Sequence, residues 1–250
     1  MRKMVIVGML LLLVSACTTV NTSADLERAA ELNAQLGLGY LKQGQYKRAM
    51  HKLDKALEFD SGNANAHHYK AEVYRRLNDP DNAEKHYKIA MDRAPDNHTI
   101  QNNYGVFLCD TGDFEQAIGL FTKPLKDPLY SNKAKSYENI GVCRLRQGQI
   151  AKAEQAFKQA LRYNSKMANS LLKLAQIRFD SGNAVAAYKL YSRYLAVAPQ
   201  TPESLWLGIL LENGRGAKNT VASYKIKLKG KYPDSKEAEL LLKFEKQGKI

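Results

Sequence analysis

The sequence predicts an all-α fold, a superhelix of about six helix pairs followed by a C-terminal capping helix. The main observation is a repeat, because small and large residues recur at fixed positions with a period of about 34 residues. The second is composition: 44% of the 250 residues are hydrophobic and 25% are charged, which is enough apolar content for a buried core. Both observations argue against disorder as the main state of the chain.

Small residues recur at the eighth, twentieth and twenty-seventh positions of each period, and large ones at the seventh, eleventh and twenty-fourth. This is the tetratricopeptide pattern, in which each unit is a pair of antiparallel helices that approach closely at the small residues. We therefore predict one superhelical domain over residues 26–250. Its repeats lie near residues 30–63, 64–97, 98–131, 134–167 and 168–201, with a degenerate unit at 202–235 and a closing helix at 236–246.

The first two repeats match most positions of the pattern, although Lys70 replaces the usual leucine in the second. In the third repeat, Pro124 and Pro128 stand where the second helix should finish. Because proline lacks a backbone donor and clashes within a helix, we expect that helix to be cut short or bent. The fourth and fifth repeats then resume the pattern after about two extra residues.

The sixth unit departs from the pattern at Gly214 and Gly216 and in its lysine-rich second helix. The segment 225–231 is interpreted as a solvated helix face. After it, Ser235 can cap the closing helix, whose polar side would shield the end of the stack.

The chain begins with the charged, apolar and small-residue order of a bacterial secretory signal. Arg2 and Lys3 precede an apolar run over residues 4–14, which is too short to span a bilayer as a helix. The following Val14-Ser15-Ala16-Cys17 resembles a lipobox, in which the signal peptidase cleaves before a cysteine that carries diacylglycerol. We predict a signal peptide at residues 1–16 and lipidation of Cys17; the alternative is an ordinary secreted protein with an incidental cysteine.

Residues 17–25 are predicted to form a lipidated, flexible tether, because they are polar and contain few large apolar side chains. Thr18 follows the cysteine, where lipoproteins retained in the inner membrane of many Gram-negative bacteria carry aspartate. The resemblance to such lipoproteins therefore implies a protein anchored by lipid in the outer membrane and facing the periplasm. Each buried methylene of the acyl chains would contribute ~0.8 kcal/mol to this attachment.

Partner binding is expected on the concave surface, where the second, fifth, ninth, twelfth and thirteenth positions of each first helix point. In the first repeat these positions include Ala34, Leu38 and Leu41, and in the second they include His68 and Arg75. We expect an apolar groove that accepts an extended or helical apolar peptide. In the alternative interpretation, these side chains only pack against the N-terminal segment or the next helix.

Four segments go beyond the repeat pattern, because no repeat position requires them: NNYGVFLC at 102–109, DPLY at 127–130, ENIGVC at 138–143 and APQTPESLWLGI at 198–209. They resemble the PilW/PilF family of type IV pilus biogenesis proteins, and the resemblance covers nearly the whole mature chain. Members are lipoproteins called pilotins, which carry the secretin PilQ to the outer membrane and support its assembly into a ring. Some members act on pilus stability instead.

The resemblance implies a protein that binds type IV pilus secretin subunits and promotes their outer-membrane localisation and multimer assembly. One alternative remains open, a periplasmic adaptor lipoprotein of the same fold that serves pilus stability or recruits cell-wall enzymes.

Two cysteines besides Cys17 stand on neighbouring first helices, Cys109 at the twelfth position of its repeat and Cys143 at the tenth position of the next. First helices of adjacent repeats pack side by side, so the two sulfurs are expected to meet. A disulfide there would contribute on the order of 3 to 5 kcal/mol in an oxidising periplasm. The alternative is two buried apolar thiols.

The sequence contains no constellation typical of catalysis. We find no G-x-S-x-G elbow, no phosphate-binding glycine loop and no metal-ligand spacing among the five histidines, so we expect no enzyme activity, metal, cofactor or small-molecule substrate. The formal net charge is +13, but the basic residues are scattered among acidic ones, and we expect no nucleic-acid binding.

Overall fold

A computed structural model describes residues 22–250, and within them the chain is helical without any strand. The predicted all-α fold is confirmed. The α-helices of these residues are α1 Ser23–Lys42, α2 Tyr46–Phe59, α3 Ala64–Arg76, α4 Pro80–Arg93, α5 His98–Thr111, α6 Phe114–Thr122, α7 Lys133–Arg146, α8 Ile150–Tyr163, α9 Ala168–Asp180, α10 Ala184–Leu195, α11 Pro202–Gly214, α12 Lys218–Lys231 and α13 Lys236–Lys246. A short 3-10 helix, Lys123–Lys126, directly follows α6.

The helices pair in chain order, α1 with α2 through α11 with α12, and each pair packs against the next. The odd-numbered helices α1 to α11 are the first helices of the six repeats, and α3, α7 and α11 also contact the first helix of a neighbouring repeat. This nearest-neighbour packing is typical of a repeat superhelix, in which no repeat buries its apolar face alone.

Helix α1 begins at Ser23, three residues before the predicted start of the folded domain. Thr22 and Asp25 cap it reciprocally: the Asp25 backbone N–H donates to Thr22 Oγ1 at 3.2 Å, and the Thr22 N–H donates to Asp25 Oδ2 at 3.3 Å. Because this capping box satisfies backbone donors that would otherwise be free, the last residues of the predicted tether are helical. Cys17 and the predicted signal peptide lie outside the described residues.

Glycines at the eighth position of the repeats let the two helices of a pair approach closely. A Cβ atom at Gly141 would lie 2.6 Å from Cε1 of Phe157, and one at Gly105 would lie 2.7 Å from Cε1 of Phe121. Both phenylalanines are buried. The small residue is therefore required by the aromatic side chain that fills the space opposite it.

The turn between the two helices of each pair uses a left-handed residue at the same position in every repeat. Gly182 has φ +79° and Gly216, 34 residues later, has φ +72°. Asn78 adopts φ 59° at this position of the second repeat, which asparagine tolerates better than most side chains. The prediction that Gly216 departs from the repeat pattern is therefore wrong, because it occupies the regular turn position.

The third repeat is interrupted as its prolines predict. Helix α6 has 9 residues, whereas α8 has 14, and the 3-10 helix that follows it contains Pro124. The chain then reaches α7 through a segment held by Tyr130, whose ring meets that of His98 edge-on at 4.9 Å and whose hydroxyl lies 3.2 Å from Ser136 Oγ. These contacts join the segment to the start of α5 and to the first turn of α7.

Helix α13 spans the residues predicted for the closing helix. Ser235 Oγ accepts a hydrogen bond from the Ala238 backbone N–H at 3.2 Å, which caps the helix as expected. Its apolar side covers the last repeat, where Phe244 meets Trp206 edge-on at 5.0 Å and Leu241 is buried.

Candidate partner-binding surface

A ladder of polar side chains links the first helices of successive repeats. Each contact joins groups about one repeat apart in the sequence, so it fixes how neighbouring repeats are oriented. The hydrogen bonds run from Asn65 to Glu31 at 3.0 Å, Asn103 to His68 at 2.9 Å, Asn139 to Asn102 at 2.6 Å, Ser170 to Glu138 at 2.9 Å and Lys173 to Glu203 at 2.7 Å.

Two of the predicted groove residues are buried and cannot reach a partner. Ala34 is fully buried in the core shared by the first two repeats. His68 is 2% exposed, and its Nε2 accepts from the Asn103 side chain. Burial disfavours the charged imidazole and lowers the pKa of His68 to about 4, so the ring is neutral at pH 7. Both residues stabilise the contact between repeats, and their predicted place in an open groove is wrong.

Arg75 is held in an ion-pair network between the second and third repeats. Its guanidinium lies 2.9 Å from Glu72 and 3.6 Å from Asp110, and the Tyr87 hydroxyl also donates to Glu72. Asp110 is in turn paired with Arg146 of the fourth repeat. These ion pairs hold the guanidinium of Arg75 between the repeats, so Arg75 does not line the groove at Leu38.

Leu38 and Leu41 are half-buried and line one open pocket of 440 Å³ between the first two repeats. The groove is not the apolar one that the sequence predicts, because charged side chains from the end of each first helix also line it. The other residues lining this first-junction pocket are Lys42, Gly44, Tyr46, Tyr69, Glu72, Arg76 and Asn103.

The charges of the first-junction pocket are predominantly basic. Glu72 is already paired with Arg75, whereas Lys42 and Arg76 have no acidic partner within salt-bridge distance among the described residues. The pocket therefore combines an apolar wall, formed by Leu38 and Leu41, with two cationic groups at its edge. Such a surface complements a segment that carries both an apolar and an acidic side chain.

The structure joins Cys109 on α5 and Cys143 on α7 in a disulfide, with a Cα–Cα distance of 5.6 Å. Both residues are buried in the core of the third and fourth repeats. The bond crosses the junction that follows the interrupted helix α6, between the third and fourth repeats. It therefore links the two halves of the superhelix covalently.

Two further histidines form a pair that the sequence does not reveal, because they lie on different helices. Nδ1 of His67 is 2.8 Å from Nδ1 of His86, and Nε2 of His67 is 3.1 Å from the Ser61 carbonyl oxygen. A carbonyl only accepts, so His67 donates through Nε2 and accepts through Nδ1 from His86. Burial, the Lys70 ammonium and His67 lower the pKa of His86 to about 4.

The described residues offer no group of three or more side chains able to hold a metal ion. None of the helices in residues 22–250 is both long and apolar enough to cross a membrane.

Two tetratricopeptide-repeat family models match the chain, one at residues 40–88 and 144–206 and the other at residues 70–127. The type IV pilus assembly protein PilF of Pseudomonas aeruginosa is 32% identical over 87% of this chain and 86% of its own length. The chain belongs to the PilF/PilW family of type IV pilus proteins. An uncharacterised Haemophilus influenzae protein is 35% identical over 52% of this chain and 73% of its own length.

Solved structures of this family superimpose along most of the chain. The structure of Pseudomonas aeruginosa PilF matches with a TM-score of 0.77 at 32% identity, covering 87% of this chain and 98% of the other. The crystal structure of PilW, described as a widely conserved type IV pilus biogenesis factor, matches with a TM-score of 0.75 at 27% identity over 85% and 98%. The recognition made from the four sequence segments is confirmed, and a scaffold of this family binds protein partners.

Proposed function

We propose that this protein is an outer-membrane lipoprotein pilotin that binds type IV pilus secretin subunits and promotes their outer-membrane localisation and assembly into multimers. The observation that carries the proposal is the similarity to PilF, a type IV pilus assembly protein, along 87% of the chain. The lipobox-like sequence ending at Cys17 supports the anchor, since it precedes the folded domain of a chain of this family.

The first-junction pocket is the proposed secretin site. Ser23 stands six positions after Cys17, so a lipid anchor at Cys17 would hold the start of α1 within about 20 Å of the membrane surface. The pocket lies near the other end of α1, about 27 Å from Ser23 at 1.5 Å per residue, so a bound secretin segment would be held within about 50 Å of the membrane into which the ring inserts.

The pocket also indicates the chemistry of that segment. An apolar side chain would pack against Leu38 and Leu41, while an acidic side chain would face Lys42 and Arg76. The apolar contact would supply most of the affinity, and the charges would select the register of the segment.

The proposal is tested by outer-membrane fractionation of the secretin, run unheated so that assembled rings remain visible. A strain lacking the protein is complemented with the wild type, with a Leu38→Asp/Leu41→Asp double variant or with Leu32→Asp. Leu32 is the matched control, because it stands on the same helix, is 62% exposed and lies outside the pocket. We expect rings with the wild type and the control, and monomeric or inner-membrane secretin with the double variant.

Normal rings with the double variant would exclude the first-junction pocket as the secretin site. Normal rings in the strain lacking the protein would instead refute the pilotin role and favour the adaptor for pilus stability or cell-wall enzymes. A Cys17→Ala variant separates the anchor from the pocket, because we expect it to leave the membrane fraction while still binding secretin in solution.

A further inference from the structure

The first-junction pocket recurs at two other places in the superhelix. Each copy lies where a first helix ends, its second helix begins and the next first helix passes. One copy, of 510 Å³, lies between the fourth and fifth repeats, and the other, of 280 Å³, lies between the fifth and sixth. Residues at the same repeat position line all three pockets. In the order first-junction pocket, fourth–fifth pocket and fifth–sixth pocket, the equivalent residues are Leu41, Leu145 and Phe179; Tyr46, Ile150 and Ala184; Glu72, Gln176 and Leu210; and Arg76, Asp180 and Gly214.

At the two junctions in the middle of the molecule, bonds are made at the repeat position that Leu41 occupies in the first-junction pocket. Arg75, equivalent to Leu41, is paired with Asp110, and Cys109 is bonded to Cys143. Among the described residues, the three related pockets therefore lie one near the N-terminus and two, adjacent to each other, near the C-terminus.

The pocket between the fifth and sixth repeats is an apolar pit. Phe179, Tyr188 and Leu210 form its walls, and Val185 at its edge is 84% exposed. The one charged side chain that lines it, Arg215, lies with Cζ 3.9 Å from the centre of the Tyr188 ring and is paired with Glu212 at 3.2 Å. Because that charge is already compensated, the pit favours an uncharged side chain.

The adjacent pocket contains an uncompensated carboxylate. Among its charged lining residues, Lys173 is paired with Glu203 and Arg178 with Glu154. Asp180 is exposed, accepts a hydrogen bond from Gln176 Nε2 at 2.8 Å and has no cationic partner in the described part of the chain.

Asp180 is also the last residue of α9 and directly follows Phe179, which lines the pit. The C-terminal end of a helix carries partial negative charge, which adds to that of the carboxylate. The site thus combines an apolar pit with a negative centre on one turn of helix. At the first junction, the position equivalent to Asp180 holds Arg76, so the two ends of the molecule have opposite charge preferences.

We propose that the fourth to sixth repeats dock an extended peptide segment of a second protein partner, which inserts a bulky apolar side chain beside Phe179 and Leu210 and pairs a lysine or arginine with Asp180. This site shares no residue with the first-junction pocket, so it goes beyond the proposed secretin site and does not depend on it. The apolar side chain anchors the segment, and Asp180 selects its charge.

The test uses the full-length protein in detergent and a fluorescein-labelled peptide, Gly-Ser-Phe-Ser-Lys-Ser-Gly amide, followed by fluorescence anisotropy. Phe and Lys are two residues apart, so in an extended chain they lie on one face at about 7 Å. Matched peptides replace Phe by Ala or Lys by Glu. We expect saturable binding of the parent peptide, binding about two- to fivefold weaker with Glu, and at least about tenfold weaker with Ala.

The Asp180→Lys variant should reverse the order of the Lys and Glu peptides, whereas Leu210→Asp should weaken binding of all three. Ile226→Asp, at a residue that is 73% exposed on α12, is the matched control and should bind like the wild type. Far-UV circular dichroism checks that each variant is folded.

Three results of the binding assay would overturn the proposal. The parent peptide shows no saturable binding at millimolar concentration, or the Lys and Glu peptides bind the wild type equally, or their order persists in Asp180→Lys. A wild-type dimer that Leu210→Asp dissociates in sedimentation velocity would also overturn it, since a second copy of the chain would then cover the pit.

Discussion

Replacing Cys109 and Cys143 together by serine is expected to weaken the superhelix at its middle junction. The two residues are separated by 34 positions, and a cross-link closing a loop of that length lowers the entropy of the unfolded chain. In the chain-entropy model, its loss costs about 4 kcal/mol of the free energy of unfolding. A loss of this size is a large fraction of the stability of an ordinary domain.

The position of the bond determines how this loss appears. Helix α6 is cut to 9 residues beside the bond, against 14 in α8, so the third repeat lacks helical turns next to this junction. Each repeat contacts only its neighbours, and a weakened junction therefore uncouples the repeats on its two sides. We expect the single unfolding transition of the oxidised protein to separate into two in the double variant.

Urea denaturation followed by circular dichroism measures both effects. The wild type in dithiothreitol is the matched control, because it lacks the bond but keeps both sulfurs, and it should resemble the double variant. Reductant should not change the variant further. Equal midpoints and one shared transition for the oxidised wild type and the variant would refute this account of the middle junction, as would mass mapping that finds both thiols free in protein from the periplasm.

Two further predictions concern single residues. The pKa of His68 is about 4 in the folded protein against 6.5 as the ordinary value, so the unfolded state takes up the proton first as the pH falls. The stability that neutral His68 contributes is complete above pH 6.5 and is lost as the pH falls toward about 4, so the free energy of unfolding should be about 2 kcal/mol lower at pH 5. Urea denaturation midpoints at pH 7 and pH 5 measure this loss, and His68→Leu should reduce the difference between them. Gly141→Ala should cost about 1 to 3 kcal/mol, because its Cβ would lie 2.6 Å from the Phe157 ring. Gly39→Ala, whose Cβ would meet nothing within 4 Å, is the control and should be neutral or stabilising. Thermal denaturation of both variants and the wild type measures the difference.

Two predictions that the structure corrects, the start of α1 and the place of Gly216, could have been made correctly from local sequence features outside the positions of small and large residues. Thr22 and Asp25 have the spacing of a capping box, which marks the start of α1 before the predicted boundary. Gly216 stands 34 residues after Gly182, the spacing of the repeat itself, and so belongs to a regular turn. Both signals are local, and both follow from backbone requirements at helix ends.

The sequence by itself determined the helix pairs, their turns, the interruption at Pro124 and the meeting of Cys109 with Cys143. These features follow from short-range rules: proline and glycine act on their own backbone, and a repeat of constant length brings equivalent residues together on neighbouring helices. The family followed in the same way from contiguous segments, and comparison with PilF confirmed it.

Only the tertiary structure decided which groove residues are available to a partner. Ala34 and His68 occupy concave positions of the repeat, yet close packing with the adjacent helices buries both. The sequence likewise does not show which charges of a pocket are paired. Only the structure shows that Arg178 is paired with Glu154, whereas Asp180 has no cationic partner among the described residues. The physical reason is that availability depends on pairing between helices distant in the chain, which the period of the repeat does not encode.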